Sequence, residues 1–147
     1  MPDKDSDALI QKGIAAIEDG NTLVALLHFE KAARFDPSPV ALSYLGYCMA
    51  RENRQMQKAL SLCTNALQAD PHKPLYYLNL GRVYLLAGEK GKAIKTFRKG
   101  LKQGRSPQII EELKALGLRG TPTILSLSRN NPLNKYLGLL LERLGLR

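Results

Sequence analysis

The sequence predicts an all-α protein in which three helical hairpins stack into a solenoid and further helices follow at the C-terminal end. The first observation behind this prediction is that small and aromatic residues recur at an interval of 34 residues. The three sets are Ala25, Ala59 and Ala93; Phe29, Cys63 and Phe97; and Ala32, Ala66 and Gly100. The second is that proline or glycine separates the apolar stretches, as expected of helices joined by turns. A hairpin of this length cannot bury its own apolar face, so neighbouring hairpins must stack.

The first hairpin is predicted over about residues 6–38. Asp5, Ser6 or Asp7 is expected to cap its first helix, because each side chain can accept a hydrogen bond from a free backbone N–H group. The turn is predicted at Asp19-Gly20-Asn21. The second helix then carries apolar residues at helical spacing and stops before a proline: Leu23, Leu26, Leu27, Phe29 and Ala32.

The second and third hairpins are predicted over about residues 39–73 and 74–106. Prolines at the boundaries restart the chain, since proline has no N–H group with which to continue a helix. Small residues recur where two helices must approach closely, because alanine or glycine permits that approach. Gly13, Gly46 and Gly81 are spaced 33 and then 35 residues apart. We therefore expect the first helix of the middle hairpin to be shifted by one residue, with a longer turn over residues 51–55 absorbing the shift.

Beyond the hairpins, residues 107–116 are predicted to form an end-capping helix that completes a solenoid unit spanning residues 1–120. Residues 121–147 are predicted to contain a short extended segment and then an amphipathic helix with one apolar stripe: Leu133, Tyr136, Leu137, Leu140, Leu141 and Leu144. This C-terminal stripe could cover the chain's own groove or end helix. It could equally bind a partner, a second copy of the chain or a membrane interface.

The three hairpins resemble the tetratricopeptide repeat family over about residues 6–105. The third hairpin carries the family pattern best, with Tyr77, Leu80, Gly81, Tyr84, Ala93 and Phe97, and departs from it at Gly100 and Arg105. The second matches at Leu42, Leu45, Gly46, Ala59, Ala66 and Pro71, with Met49 and Cys63 as departures. The first keeps Gly13, Ala25, Phe29, Ala32 and Pro37, but has Lys12 where the family has leucine. The resemblance implies a right-handed superhelical solenoid that binds other proteins.

The resemblance also implies that the first helices line a concave, partner-binding groove. The groove residues expected here are Ile10, Ile14, Ile17, Tyr44, Tyr47, Leu78, Asn79, Arg82 and Leu85. Family members that bind chaperone tails hold a peptide carboxylate with Lys, Asn and Arg, but Ile10, Ile14, Tyr44 and Leu75 stand at those places in this sequence. Such a groove suits an amphipathic or extended apolar segment. Alternatively, any one of these residues could simply pack against a neighbouring helix.

The net charge of +9 is concentrated in the second half of the chain. Residues 1–81 carry 8 Lys/Arg against 9 Asp/Glu, whereas residues 82–147 carry 14 against 4. A basic face with helical spacing is expected at Lys92, Lys95, Arg98, Lys99 and Lys102. Clustered cations of this kind suit phosphate contact, although few aromatic residues are available for base stacking. The alternative is a solvated face with no ligand.

Catalysis, metal binding and cofactor binding have little support. His28 and His72 are isolated, and neither a zinc-ligand spacing nor a phosphate-binding glycine loop is present. Cys48 and Cys63 are expected to be buried free thiols. The acidic N-terminal residues do not resemble a signal peptide and no apolar run is long enough to span a membrane, so a cytoplasmic location is expected.

We therefore predict a non-enzymatic adaptor or scaffold that binds an apolar peptide or helix of an unidentified protein in its groove. The alternative is a basic docking module whose face within residues 82–105 binds an anionic partner: a nucleic acid, an acidic protein or a lipid surface. A third possibility is a part that self-associates through its C-terminal helix.

Overall fold

The computed structural model describes residues 2–117, which form seven α-helices. They are α1 (Pro2–Glu18), α2 (Thr22–Phe35), α3 (Pro39–Glu52), α4 (Met56–Ala69), α5 (Pro74–Leu86), α6 (Lys90–Gln103) and α7 (Pro107–Ala115). The helices pack as successive antiparallel hairpins, each contacting the next. The predicted all-α repeat solenoid is confirmed for this part of the chain. The extended segment and the C-terminal stripe at 133–144 lie outside the described residues.

The predicted cap of α1 is wrong. The helix already begins at Pro2, so Asp5, Ser6 and Asp7 lie within it, and Ser6 is buried. Inside a helix each N–H group bonds to the carbonyl four residues earlier, so the amides after these residues need no side-chain acceptor. Side-chain caps do occur later in the chain, where Ser38 accepts from the Ala41 amide and Ser106 accepts from the Ile109 amide.

The helix boundaries themselves repeat every 34 residues. First helices end at residues 18, 52 and 86, and second helices begin at 22, 56 and 90. All three turns therefore have the same length, and the longer middle turn expected from the glycine spacing is wrong. Each turn contains one residue in the left-handed conformation at the equivalent position: Gly20 at φ 78°, Arg54 at φ 56° and Gly88 at φ 78°.

The helix boundaries put Tyr47 in register with Gly13 and Gly81, but the packing gives the role of these glycines to Gly46. The expected one-residue shift of the first middle helix is thus found in its packing, although not in the length of its turn. In the first repeat a Cβ atom added to Gly13 would lie 2.5 Å from Phe29 Cζ, and in the third repeat one added to Gly81 would overlap the Phe97 ring. In the middle repeat a Cβ atom added to Gly46 would lie 2.6 Å from Cys63 Sγ and 2.8 Å from the Ala59 carbonyl oxygen. A glycine thus packs against the second helix in all three repeats, and in the middle one it faces a cysteine instead of a phenylalanine.

Two clusters of buried apolar residues form the core of residues 2–117. The larger runs through the first two hairpins to Leu80 and Val83 of α5, and the smaller joins α5, α6 and α7. Ile109 of α7 is fully buried in the smaller cluster. A Cβ atom added to Gly100 would lie 2.7 Å from Ile109 Cδ1, so the glycine at this place in α6 leaves the space that α7 fills.

Candidate binding groove

First helices line a groove within residues 2–117, a cavity of about 440 Å³. Its apolar lining comes from α1, α3 and α5: Ile14, Ile17, Tyr44, Pro74, Leu75 and Leu78. Polar groups border it at Glu18, at Arg82 and around the start of α7, at Arg105, Ser106 and Gln108. No lining residue comes from α2, α4 or α6, so the second helices form the opposite wall of the solenoid.

Five of the residues predicted from the sequence line this groove together: Ile14, Ile17, Tyr44, Leu78 and Arg82. Four others do not line it. Ile10 and Tyr47 are buried in the larger core cluster. Leu85 packs against the smaller cluster, and Asn79 is fully buried between α3 and α5. Ile10, Tyr47 and Asn79 therefore support the groove from behind, whereas Leu85 is half-buried beside the smaller cluster.

Asn79 takes part in a buried polar contact between the first helices of the second and third repeats. Its Nδ2 donates a hydrogen bond of 2.9 Å to Ser43 Oγ, and both residues are 0% exposed. Its Oδ1 is buried and has no hydrogen-bond partner within residues 2–117. A buried pair of this kind resists separation of the two helices, because pulling away one partner leaves the other unsatisfied.

Tyr44 forms the aromatic part of the groove. Its ring stacks on Phe29, with centroids 4.8 Å apart and planes inclined by 7°. Burial raises the pKa of the Tyr44 phenol, the Arg82 guanidinium opposes that shift, and the Glu18 carboxylate adds to it. Tyr44 is therefore a neutral, rigidly held surface at neutral pH, and it lies between one cation and one anion.

Arg82 is already engaged on two sides. Its Nε donates a hydrogen bond of 2.8 Å to Glu112 Oε1 of α7, and its Cζ lies 5.2 Å from the centroid of the Tyr47 ring. A guanidinium held in this way has less capacity to clamp a peptide carboxylate. Glu112 was not among the residues predicted from the sequence to take part in the groove.

The polar rim was also not predicted from the sequence, and it is supplied by Glu18, Arg105 and Gln108. Glu18 lies four residues after Ile14, and this spacing puts both side chains on one face of α1. That spacing was available from the sequence. Arg105 and Gln108 reach the groove only because the α6–α7 connection turns back toward α5, and no local pattern indicates that turn.

The basic face lies on α6, away from the groove. Lys95, Lys99 and Lys102 are exposed, and Arg98 is half-buried with an Nε that has no partner within residues 2–117. Lys92 Nζ lies 3.7 Å from Glu89 Oε2 and 5.9 Å from the centroid of the Tyr84 ring. Groove and basic face are thus separate surfaces on opposite walls.

Comparisons with known proteins identify the repeats. A family model described as tetratricopeptide repeat matches residues 50–116. A search of curated proteins by sequence found no match. None of the helices within residues 2–117 is long and apolar enough to cross a membrane.

Solved structures with the same fold are tetratricopeptide repeat domains. The first such domain of human RPAP3 is 19% identical, with a TM-score of 0.63 over 79% of this chain and 91% of that one. The first such domain of Spaghetti (RPAP3), bound to the HSP90 peptide SRMEEVD, is 19% identical, with a TM-score of 0.59 over 77% and 90%. The Sgt2 domain from Aspergillus fumigatus is 23% identical, with a TM-score of 0.60 over 75% of each chain.

The predicted resemblance to tetratricopeptide repeats is confirmed by the family model over residues 50–116 and by the fold of residues 2–117.

Proposed function

We propose that the groove of the first helices binds an apolar segment of a protein partner, either an amphipathic helix or an extended peptide, and that the protein acts as a non-enzymatic adaptor. The observation that carries this proposal is the largely apolar lining of the 440 Å³ cavity, to which three successive first helices contribute. A concave apolar site with a few polar groups at its border is the usual form of a ligand pocket.

The polar rim suggests how a ligand would be oriented. Glu18 borders the groove from α1, and Arg105 borders it from the start of α7. Opposite charges flanking an apolar site favour a ligand with the complementary charges at its two ends. The expected ligand therefore has an apolar centre, a basic flank toward the first repeat and an acidic flank toward α7.

Peptide display on the full-length protein tests the proposal. Selected peptides are synthesised, labelled and titrated by fluorescence anisotropy against wild type, Leu75→Glu and a control, Leu23→Ser. Leu75 is half-buried in the groove and Leu23 is exposed on α2. We expect selected peptides to be rich in apolar residues and Leu75→Glu to weaken binding by about 30-fold or more, which corresponds to roughly 2 kcal/mol. Binding that survives Leu75→Glu but fails in Leu23→Ser would contradict the proposal.

The SRMEEVD peptide provides a second test, because a carboxylate clamp and an apolar groove predict opposite results. Arg82 is committed to Glu112 and Tyr47, so we expect no saturable binding of SRMEEVD below about 1 mM. Micromolar binding that is lost in Arg82→Ala would show that the groove holds a carboxylate after all.

A further inference from the structure

The second helices form an outer wall whose exposed face changes in chemistry along the solenoid. Because α2, α4 and α6 begin at residues 22, 56 and 90, side chains 34 residues apart point in equivalent directions. Leu27, Ser61 and Lys95 are one such set, and all three are exposed. This outward-facing position of the second helix is thus apolar in the first repeat, polar but uncharged in the second, and cationic in the third.

The apolar end of this wall lies on α2. Leu23 is 55% exposed, Leu27 is 59% exposed and Phe35 is 52% exposed. Together with Val24 they are the exposed large apolar side chains of residues 2–117. Helical spacing places the exposed Lys31 and Arg34 on the same face. Exposed apolar side chains grouped on one face usually mark an interaction site, and two cations among them indicate an anionic partner.

The outer wall as a whole is strongly basic. Its three helices carry nine Lys/Arg and one Asp/Glu, whereas the first helices α1, α3 and α5 carry four Lys/Arg and five Asp/Glu. The excess of positive charge therefore lies on the outer wall, as well as in the second half of the chain. On α6 alone six cations occur with no anion within the helix.

We propose that the outer wall docks on the surface of an anionic lipid bilayer. The side chains of Leu23, Leu27 and Phe35 enter the interface, and the lysines of α6 lie against the headgroups. Apolar side chains combined with several cations are the features with which peripheral proteins bind such surfaces, and each Lys or Arg near the surface adds to the attraction. This inference goes beyond the proposed function, since it concerns the wall opposite the groove.

Other occupants fit the wall less well. A second copy packed face to face on α2 would bring Lys31 and Arg34 of the two molecules together, and like charges in an interface repel. Nucleic acid would use the cations but leave the exposed leucines without a role. An acidic helix could sit in a shallow depression of about 300 Å³ formed by α2, α3 and α4, but it would leave α6 uncovered. The depression is lined by Glu30, Ala33, Arg34, Leu45, Met49 and Lys58.

Co-sedimentation of the full-length protein with vesicles tests this assignment. Vesicles of phosphatidylcholine containing phosphatidylserine are compared with phosphatidylcholine alone, at low and high salt. Three variants are measured: Leu23→Ser/Leu27→Ser, Lys95→Glu/Lys99→Glu, and the charge-matched control Lys12→Glu/Lys114→Glu, which changes exposed lysines of α1 and α7. We expect binding to need phosphatidylserine and to weaken with salt. The leucine pair and the Lys95/Lys99 pair should each weaken it about tenfold or more, and the control should change it less than about twofold.

Several results would overturn the proposal. The proposal fails if the protein binds equally well to vesicles with and without phosphatidylserine. It also fails if Leu23→Ser/Leu27→Ser and Lys95→Glu/Lys99→Glu both bind vesicles as tightly as the wild type does. Loss of vesicle binding in Leu137→Ser/Leu141→Ser, with the outer-wall variants unaffected, would assign membrane contact to the C-terminal stripe. A single-stranded oligonucleotide bound more tightly than the vesicles, and equally well by Leu23→Ser/Leu27→Ser, would identify the wall as a phosphate-binding surface for nucleic acid. Leu75→Glu should leave vesicle binding unchanged, so failure of the groove proposal is distinguishable from failure of this one.

Discussion

The middle repeat and the two repeats that flank it reach the same helix boundaries with different residues at paired positions. The flanking repeats pair a glycine in the first helix with a phenylalanine in the second, at Gly13 with Phe29 and at Gly81 with Phe97. The middle repeat pairs Gly46 with the smaller Cys63, and there a backbone atom, the Ala59 carbonyl oxygen, would lie 2.8 Å from an added Cβ atom. The comparison indicates that a smaller side chain in the second helix is compensated by close approach of the helix backbone, as expected of interiors filled to crystal-like density.

The largest expected loss of stability comes from truncating a phenylalanine of the second helices, and truncating the equivalent cysteine should cost much less. Phe97 and Cys63 are both 0% exposed. Phe97→Ala should lower the free energy of unfolding by about 3–5 kcal/mol, because it leaves a large cavity. Cys63→Ala removes a single sulfur atom and should cost about 1 kcal/mol. Urea denaturation measures both, and equal losses would show that the second helices contribute alike in all repeats.

The close approach in the middle repeat is tested by adding one methyl group. Gly46→Ala would place a Cβ atom 2.8 Å from the Ala59 carbonyl oxygen, a backbone atom, and should lower the free energy of unfolding by about 1–3 kcal/mol. The control is Gly91→Ala in α6, where an added Cβ atom meets nothing within 4 Å, and it should raise the free energy of unfolding by up to about 1 kcal/mol. Urea denaturation measures both, and a stable Gly46→Ala variant would show that α3 and α4 can separate without cost.

The thiols of the middle repeat should make stability depend on alkaline pH. Burial raises the pKa of Cys48 and of Cys63 to about 12 each, from an ordinary value of 9.0. Between these values the unfolded chain loses thiol protons that the folded chain retains, so the free energy of unfolding falls as pH rises. The slope should be roughly 1.4 kcal/mol per pH unit for each thiol.

The control for this pH dependence is Cys48→Ala/Cys63→Ala, which lacks both thiols. Urea denaturation of the wild type and of this variant across the alkaline range should give curves that diverge above pH 9.0. Parallel curves would show that the alkaline loss arises from other groups, such as the lysines.

The smallest expected effect concerns the turns. Arg54 occupies the left-handed conformation that Gly20 and Gly88 occupy in the flanking repeats. Side chains with a Cβ atom adopt this conformation at a cost, so Arg54→Gly should raise the free energy of unfolding by about 0.5–1 kcal/mol. Gly88→Ala, the matched change in the third repeat, should lower it by a similar amount. A Tm shift of the same sign in both variants would contradict this account.

The helix pattern was largely predictable because the 34-residue interval reports buried positions directly. Ala25, Ala59 and Ala93 are all fully buried, as the recurrence requires. The register of the middle repeat was predictable only in part. The spacing of Gly13, Gly46 and Gly81 correctly indicates the residue that packs against the second helix. It does not indicate where the helix ends, because a local dipeptide match carries no information about the helix boundary.

The same one-residue ambiguity limited prediction of the groove. One residue corresponds to a rotation of about 100° around a helix, which is enough to move a side chain such as Tyr47 from a lining position into the core. On α2 the sequence shows Leu23, Leu26 and Leu27 as one apolar stripe, yet only Leu26 is buried. The sequence shows how wide the apolar stripe of a helix is, but it does not show how much of that stripe neighbouring helices cover.

Arg82 makes ligand binding and the end of the solenoid thermodynamically dependent on each other. The same guanidinium borders the groove and bonds Glu112, which lies on the last described helix. A ligand that draws Arg82 toward itself must weaken the attachment of α7, and anything that tightens α7 must oppose that ligand by the same free energy. The affinity of the groove for a ligand therefore depends on how firmly α7 is attached at the end of the repeat array. One side chain transmits this dependence, and the core need not rearrange.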